Sequence, residues 1–405
     1  MNFELFVTKK IIKGSQQTFS KPIIRISIVA IALGIMMMSI SLSIVNGFQT
    51  EIERKISGIN APITITNYKS RHFLEQTPID RNREFTNEIL DIDGVKHVQV
   101  YANKGLILKT KEDNYGAIAK GIDSDFDWSF FKEHLIQGEL PFLRDDSTSN
   151  DILISSHIAN KLTLKKGDNL YLFFAQQPPR YRKVYVSGIY QTGLGELDER
   201  LVLIDLRHIQ KVNEWEDNLV GGFEIILNPE ADIPTIDDQV YKVIDNDLIS
   251  TSILESRPDI FNWLELQDVN VIIIISLLIA VCGIDIISAL LILILERTNM
   301  IGILKALGAN NLSIRKIFIY NAIYLVLQGI IWGNLLGLGF AFLQKKFKFL
   351  KLPQEAYFID NVPIEFDWIE LLLLNAGTIL CCLSMLIIPS NLIARISPSK
   401  AIRFQ

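Results

Sequence analysis

Cysteine is scarce in this chain, three in 405 residues, and its placement excludes more than its number does. Cys282, Cys381 and Cys382 all lie inside apolar runs, and the long polar middle of the chain has none, so no disulfide framework is available there. Histidine is sparse as well. The five, His72, His97, His134, His157 and His208, show no metal-ligand spacing, and neither H-E-x-x-H nor G-x-S-x-G occurs. A G-x-x-x-x-G-K-[ST] phosphate loop is also missing, so the chain is not expected to hydrolyse ATP. A basic surplus is lacking too: the net charge is −5, and the polar middle is acidic, which sets nucleic-acid binding aside.

What the chain has in excess is apolar sequence. It is 49% hydrophobic with a positive mean hydropathy, too greasy for an ordinary soluble protein. Charge is unevenly spread. Residues 1–48 carry 5 Lys and Arg against 1 Asp or Glu; residues 49–268 carry 24 against 37; residues 269–405 carry 11 against 7. An acidic, hydrophilic middle is set between two basic, apolar ends.

Four runs are candidates to cross a membrane. The first, 23–45, has one charge, Arg25, near its basic end, and is long enough for a hydrocarbon core of roughly 30 Å. A cleaved signal peptide is the alternative; against it, 43–48 leads straight into a charged helical pattern at 51–55. Lys9, Lys10, Lys13 and Lys21 precede this run, but the apolar positions among them gather on no clean face, so an interfacial helix is only weakly signalled. The second run, 269–295, holds Asp285, an intramembrane carboxylate expected to face the bundle interior, hydrogen-bonded or protonated. The third, 312–343, carries Gly329, Gly333 and Gly337 at every fourth residue, a smooth face for close helix packing within this chain or across a dimer. The fourth is 369–393. Four spans put both termini on one side, and the basic ends with Arg297, Lys305, Arg315 and Lys316 place that side in the cytoplasm.

The predicted architecture is therefore an α-helical membrane protein with four transmembrane helices and a large α+β domain inserted between helices 1 and 2. Its segments are 1–48 with the first span, the insert 49–268, the second span 269–295, a cytoplasmic segment 296–311, the third span 312–343, a short outer loop 344–367, and 368–405 with the fourth span and tail. Within the insert, strands fit 95–110, 114–122, 151–155, 169–174, 183–190, 201–205 and 222–227, with a short helix at 156–162. The loop 175–182 (AQQPPRYR) is barred by two prolines from a sheet interior and reads as a stiff hairpin tip.

The stretch between the second and third spans, ERTNMIGILKALGAN at 296–310, organises the rest. Met300, Ile303, Leu304 and Leu307 fall at i, i+3, i+4 and i+7, one face of a short helix, and Gly308 sits where a helix stops. Such a helix either covers its own bundle or offers a small apolar face to a partner at the membrane surface. Arg297 and the 301–309 string resemble the cytoplasmic coupling segment of ABC-transporter permeases of the MacB/FtsX/LolC group, which lies against the ATPase; Met300 stands where the family usually has Glu. A second string, Ser43-Ile-Val-Asn46-Gly47-Phe48 followed by Glu51, is similar to the end of the first span in LolC/LolE-type lipoprotein-releasing permeases. By itself Asn46-Gly47 is also a helix-end signal at a membrane boundary. The 182–188 strand after the proline loop, and the tail around 394–403, match the same family.

The resemblance implies a permease subunit that uses ATP hydrolysis by a partner ATPase to release lipoproteins to a periplasmic carrier. It makes Arg297, Met300, Ile301, Gly302, Ile303, Leu304, Lys305, Leu307 and Gly308 the ATPase-coupling residues. Gln177, Pro178, Pro179, Arg180 and Tyr181 become a carrier-docking loop, and Ser43, Asn46, Gly47 and Phe48 a substrate-linked motif of the first span. The implied setting is the bacterial inner membrane with the insert, in two lobes, in the periplasm. Implied partners are an ATPase dimer, a second copy or a paralogous permease, the lipoprotein, its carrier and membrane lipid; ATP and Mg belong to the ATPase, and no cofactor to this chain. A MacB-like exporter and an FtsX-like non-transporting signalling subunit stay open as alternatives.

Overall fold

The computed structural model describes residues 3–14, 20–70, 72–144, 146–229, 231–353 and 359–387. The tail string at 394–403 and the end of the expected fourth span, 388–393, lie outside these. The chain forms two compact units. One holds the described residues of Met1–Thr50, Trp263–Lys351 and Asn361–Gln405, the other Glu51–Asn262 with the described residues of Leu352–Asp360.

In chain order, α1 is Phe3–Gly14 and α2 Ser20–Ile59. The insert follows: β1 Ile63–Asn67, β2 Ile79–Asp80, α3 Phe85–Leu90, β3 Val95–Lys109, β4 Asn114–Ile122, α4 Ser129–Glu133 and β5 Leu135–Gly138. Then come β6 Asp151–Ser155, α5 Ser156–Lys161, β7 Asn169–Phe174, β8 Arg180–Tyr190, α6 Gly195–Arg200, β9 Leu201–Asp205 and α7 Leu206–Asn213. The insert closes with β10 Leu219–Val220, β11 Gly222–Leu227, α8 Ile233–Val243, β12 Leu248–Ser252 and α9 Ile253–Ser256. Among the described residues the remaining helices are α10 Pro258–Glu296, α11 Thr298–Ala306, α12 Asn311–Phe347 and α13 Trp368–Met385. Among the described residues four helices, α2, α10, α12 and α13, are long and apolar enough to cross a membrane.

The helical unit is held by one apolar core. Ile31, Ile35 and Met38 of α2 meet Ile286, Leu290 and Leu293 of α10, Phe318, Ala322 and Val326 of α12, and Leu374 and Cys382 of α13. The glycine stripe of α12 is used inside this chain. A Cβ on Gly329 would lie 2.4 Å from Ile31 Cγ2, one on Gly333 2.6 Å from Ile35 Cβ, and one on Gly337 3.1 Å from Met36 Cα, so α2 occupies the groove that the missing side chains leave. Asp285 accepts a hydrogen bond from Ser27 Oγ of α2 at 3.4 Å, and Gln49 Nε2 of α2 donates to Asp268 Oδ1 of α10 at 2.7 Å. These two contacts make α2 and α10 antiparallel neighbours.

Several boundaries differ from the sequence reading. α10 begins at Pro258, inside the expected insert, rather than at 269. α2 does not end near Asn46-Gly47 but continues to Ile59. The reason is that Gly47 supplies space rather than a stop: a Cβ there would sit 2.6 Å from the Pro363 carbonyl carbon and oxygen. β8 begins at Arg180, because Tyr181 and Arg182 pair with Phe173 and Leu172 in the β7 ladder, leaving a loop of residues 175–179.

In the insert, ten strands form one sheet in the order β12-β1-β11-β3-β4-β9-β6-β8-β5, with β7 bridging β3 and β8. Strands from both ends of the insert, β1, β11 and β12, are neighbours on one side, and β3 joins them to the strands of its middle. Side-chain caps start several helices: Ser155 accepts from Ile158 N, Asp205 from Arg207 N and Asp232 from Thr235 N. The last turns of α2 belong to this core, with Ile52, Ile56 and Ile59 at most 1% exposed. Lys120 Nζ donates to the Ile59 carbonyl at 2.8 Å and pairs with Glu224 Oε1 at 2.7 Å. Gln99 Nε2 donates to the other Glu224 oxygen at 2.8 Å. A buried charge pair is tolerable only when its remaining valences are met in this way.

Candidate functional site

Three places carry the residues singled out from the sequence. The first is α11, pinned between two spans. Arg297 occupies its N-cap and Gly308, at φ +93°, follows its last turn. Gly308 N donates to Lys305 O at 3.1 Å and Ala309 N to Leu304 O at 2.9 Å. Asn310 Oδ1 then accepts from Ser313 N at 2.7 Å and starts α12. The expected apolar face is divided by the bundle. Ile301 is fully buried, Gly302 is buried, and Met300 and Leu304 pack against the helical core. Ile303 and Leu307 point away, 53% and 79% exposed. Of the nine residues assigned to coupling, Ile301 and Gly302 therefore support the helix from beneath, and the surface open to a partner centres on Ile303 and Leu307. Arg297 and Lys305 are half-buried at its flanks.

The second place is the opposite end of the helical unit, around Ser43, Asn46, Gly47 and Phe48 of α2. The Ser43 carbonyl accepts from Glu365 N at 3.0 Å, Asn46 Nδ2 donates to Glu370 Oε2 at 2.6 Å, and Gly47 lets the Pro363 backbone lie against the helix. Phe48 is half-buried. The motif seats the segment that leads into α13. Beside it opens a cleft of about 530 Å³, walled by Asn46 and Gln49 on one side and Phe366, Trp368 and Glu370 on the other. The Phe366 and Trp368 rings stack with centroids 5.8 Å apart, and Lys345 lies 3.7 Å from Glu365 and over the Phe366 ring. Aromatic and polar groups side by side at the end of a span suit an amphiphile, with a polar head against the amides and carboxylates and an apolar part against the rings. The sequence reading missed Gln49, Phe366, Trp368 and Glu370. The signal for them was a tryptophan at the first position of an apolar run, a common membrane-border residue.

The third place is the β7–β8 hairpin of the insert. Gln177, Pro178, Pro179 and Tyr181 are exposed, and the Tyr181 ring leans on Phe173 at 4.9 Å. Arg180 is occupied. It donates to Lys211 O at 2.7 Å and pairs with Glu214, while Gln176 Nε2 donates to Val212 O at 2.8 Å. Both anchors grip the end of α7, where Glu214 turns left-handed at φ 59°. Arg180 is thus a brace for the loop, and the free tip is Gln177-Pro178-Pro179.

The family model for the MacB-like periplasmic core domain matches residues 26–243, and that for the FtsX-like permease C-terminal region matches 270–398. The lipoprotein-releasing system transmembrane protein LolE of Haemophilus influenzae is 24% identical, over 99% of this chain and 99% of its own. LolC of Buchnera aphidicola subsp. Schizaphis graminum is 25% identical over 94% of each chain. LolC of Neisseria meningitidis serogroup B is 24% identical over 96% of this chain and 95% of its own. A MacB-like core domain lies between the first and second apolar helices, and an FtsX-like region carries the other three with α11 among them: the chain belongs to the MacB/FtsX/LolC group of ABC-transporter permeases.

Proposed function

We propose that this chain is the membrane subunit of a lipoprotein-releasing transporter, driven by a separate ATPase that docks on the Ile303/Leu307 face of α11. The observation that carries the reading is the full-length likeness to lipoprotein-releasing system proteins, and two features of this chain fit it. A cleft of mixed polar and aromatic lining lies beside Asn46 and Gln49 of α2, where a lipid-anchored substrate would present its head. A stiff proline tip projects from the insert for a soluble carrier. Extracting an acyl chain costs about 0.8 kcal/mol per CH₂, so a lipid anchor needs both an energy source and a sheltered acceptor. ATPase closure would press on α11 and move the spans, with both termini and α11 in the cytoplasm and the insert in the periplasm of an inner-membrane complex. A second permease, identical or paralogous, completes it.

The MacB-like core match favours a second reading, an exporter of another cargo, in which no acyl-binding carrier takes part. The test is co-purification with the ATPase and release of a labelled lipoprotein from proteoliposomes to a soluble carrier. Ile303→Asp or Leu307→Asp places a charge on the exposed face without touching the bundle core, and release is expected to fall at least about tenfold, one lost hot-spot contact. Normal release by both variants sinks the coupling assignment. Release of no lipoprotein by the wild-type complex moves the reading to the exporter.

A further inference from the structure

The helix α1 is covered on one side and bare on the other. Thr8 is 4% and Ile11 9% exposed where α1 packs on α12; Thr8 Oγ1 donates to the Glu4 carbonyl of its own helix at 2.7 Å and lies 3.3 Å from the Ile317 carbonyl. Ile317 lies in the second turn of α12, so α1 sits at the α11 end of the spans, where they leave the apolar layer. The bare side presents Phe3, Leu5 and Phe6, 44–49% exposed, together with exposed Lys9 and Lys10. Lys10 Nζ lies 5.8 Å from the centre of the Phe6 ring. At 3.6 residues per turn these five share an arc of about 160°. No carboxylate falls among them; Glu4 is on the flank with Thr8 and Ile11.

We propose that this face lies on the membrane surface and binds an anionic lipid leaflet, Phe3, Leu5 and Phe6 entering the acyl border and Lys9 and Lys10 resting on the phosphates. The chemistry selects that occupant. Large apolar side chains beside lysines, with no acid between them, are the composition of helices that lie in the interfacial plane. Lysine stems lie along apolar surface while their ammonium groups reach the headgroup layer. A protein partner fits less well, because lysine is depleted from the buried centres of protein interfaces. Through Thr8 and Ile11 the same helix would tie the start of α12, two residues beyond Ala309, to the lipid surface. The lipid composition of that leaflet would then bear on the position of α11.

The test uses the full-length chain in lipid nanodiscs, with its three cysteines changed to Ala and a spin label on Leu5→Cys. Discs of phosphatidylcholine with and without phosphatidylglycerol are compared by accessibility to oxygen and to a water-soluble nickel chelate. With phosphatidylglycerol the label should be immersed. A lysine near an anionic surface favours the docked state about fivefold, so Lys9→Gln with Lys10→Gln should lower the immersed fraction's equilibrium constant by about 25-fold. Added salt should act in the same direction, and Lys9→Arg with Lys10→Arg should restore immersion. A label that stays in water with phosphatidylglycerol present overturns the proposal. So does immersion indifferent to both phosphatidylglycerol and the lysines, or shielding that appears only when the ATPase is added.

Discussion

Single residues in this chain act through space as often as through chemistry. Gly333 and Gly339 share α12, yet a Cβ on Gly333 would lie 2.6 Å from Ile35 Cβ and 2.7 Å from Ala32 O, whereas one on Gly339 would meet nothing within 4 Å. Gly333→Ala should therefore destabilise the helical unit by about 1–3 kcal/mol through overpacking. Gly339→Ala should be neutral or gain up to about 1 kcal/mol of helix propensity. Thermal unfolding of the two variants in one detergent compares them directly. His208 is a chemical case. It is 2% exposed, and since Nε2 faces the Ser149 carbonyl at 2.8 Å, that nitrogen carries the proton of a neutral ring. Burial lowers its pKa, against the smaller upward pull of the Ser149 carbonyl. The unfolded chain then binds a proton first as pH falls, so stability is present above about 6.5 and is lost below it. His208→Gln, which keeps a donor for Ser149, should flatten the fall in unfolding temperature between neutral and mildly acidic pH. An unchanged slope would mean that His208 does not govern that loss.

At the scale of elements, rigidity rather than composition separates a working surface from a turn. α11 is closed at its C-terminal end by Gly308 and the Asn310 cap behind it, and is held from beneath by the packing of Ile301. Through Ile301, Met300 and Leu304 the helix packs on the same core as α10 and α12, so a partner on Ile303 and Leu307 would bear on both. The β7–β8 hairpin is braced instead by Arg180 and Gln176 on the end of α7. Two variants separate tip from brace. Pro178→Gly with Pro179→Gly should loosen the tip and reduce crosslinking of a soluble carrier to residue 177, since the bound shape becomes a smaller share of the ensemble. Arg180→Ala should free the whole loop, seen as earlier proteolytic cleavage at 175–179, with membrane insertion intact. If both variants release substrate at the wild-type rate, the hairpin is only a turn.

For the whole molecule, the sequence sets an acidic insert between basic, apolar ends, and one labelling experiment reads its orientation. Single cysteines replacing Lys109 and Lys165, both exposed on the insert, should react with an impermeant thiol reagent in intact spheroplasts. One replacing the exposed Asn299 of α11 should react only after lysis. Reaction at Asn299 from outside would reverse the topology and remove α11 from the ATPase.

The sequence alone determined the existence of the four apolar runs, the strands at β3, β4, β6, β7, β9 and β11, and the Gly308 stop. Each of these is written in local periodicity or in a residue whose backbone freedom is used on the spot. Tertiary structure decided what those features do. Asn46-Gly47 reads locally as a helix end, and only the Pro363 backbone lying across it shows that the glycine makes room in a helix that goes on to Ile59. The stripe of Met300, Ile303, Leu304 and Leu307 is one face by period, but Ile301 turns the helix so that half of that face is core and half is surface. Arg180 looks free in a proline loop until α7, some thirty residues on, supplies Lys211 and Glu214 to hold it. Local period fixes which residues share a face; which face is buried depends on partners distant in the chain, and no short-range pattern encodes them.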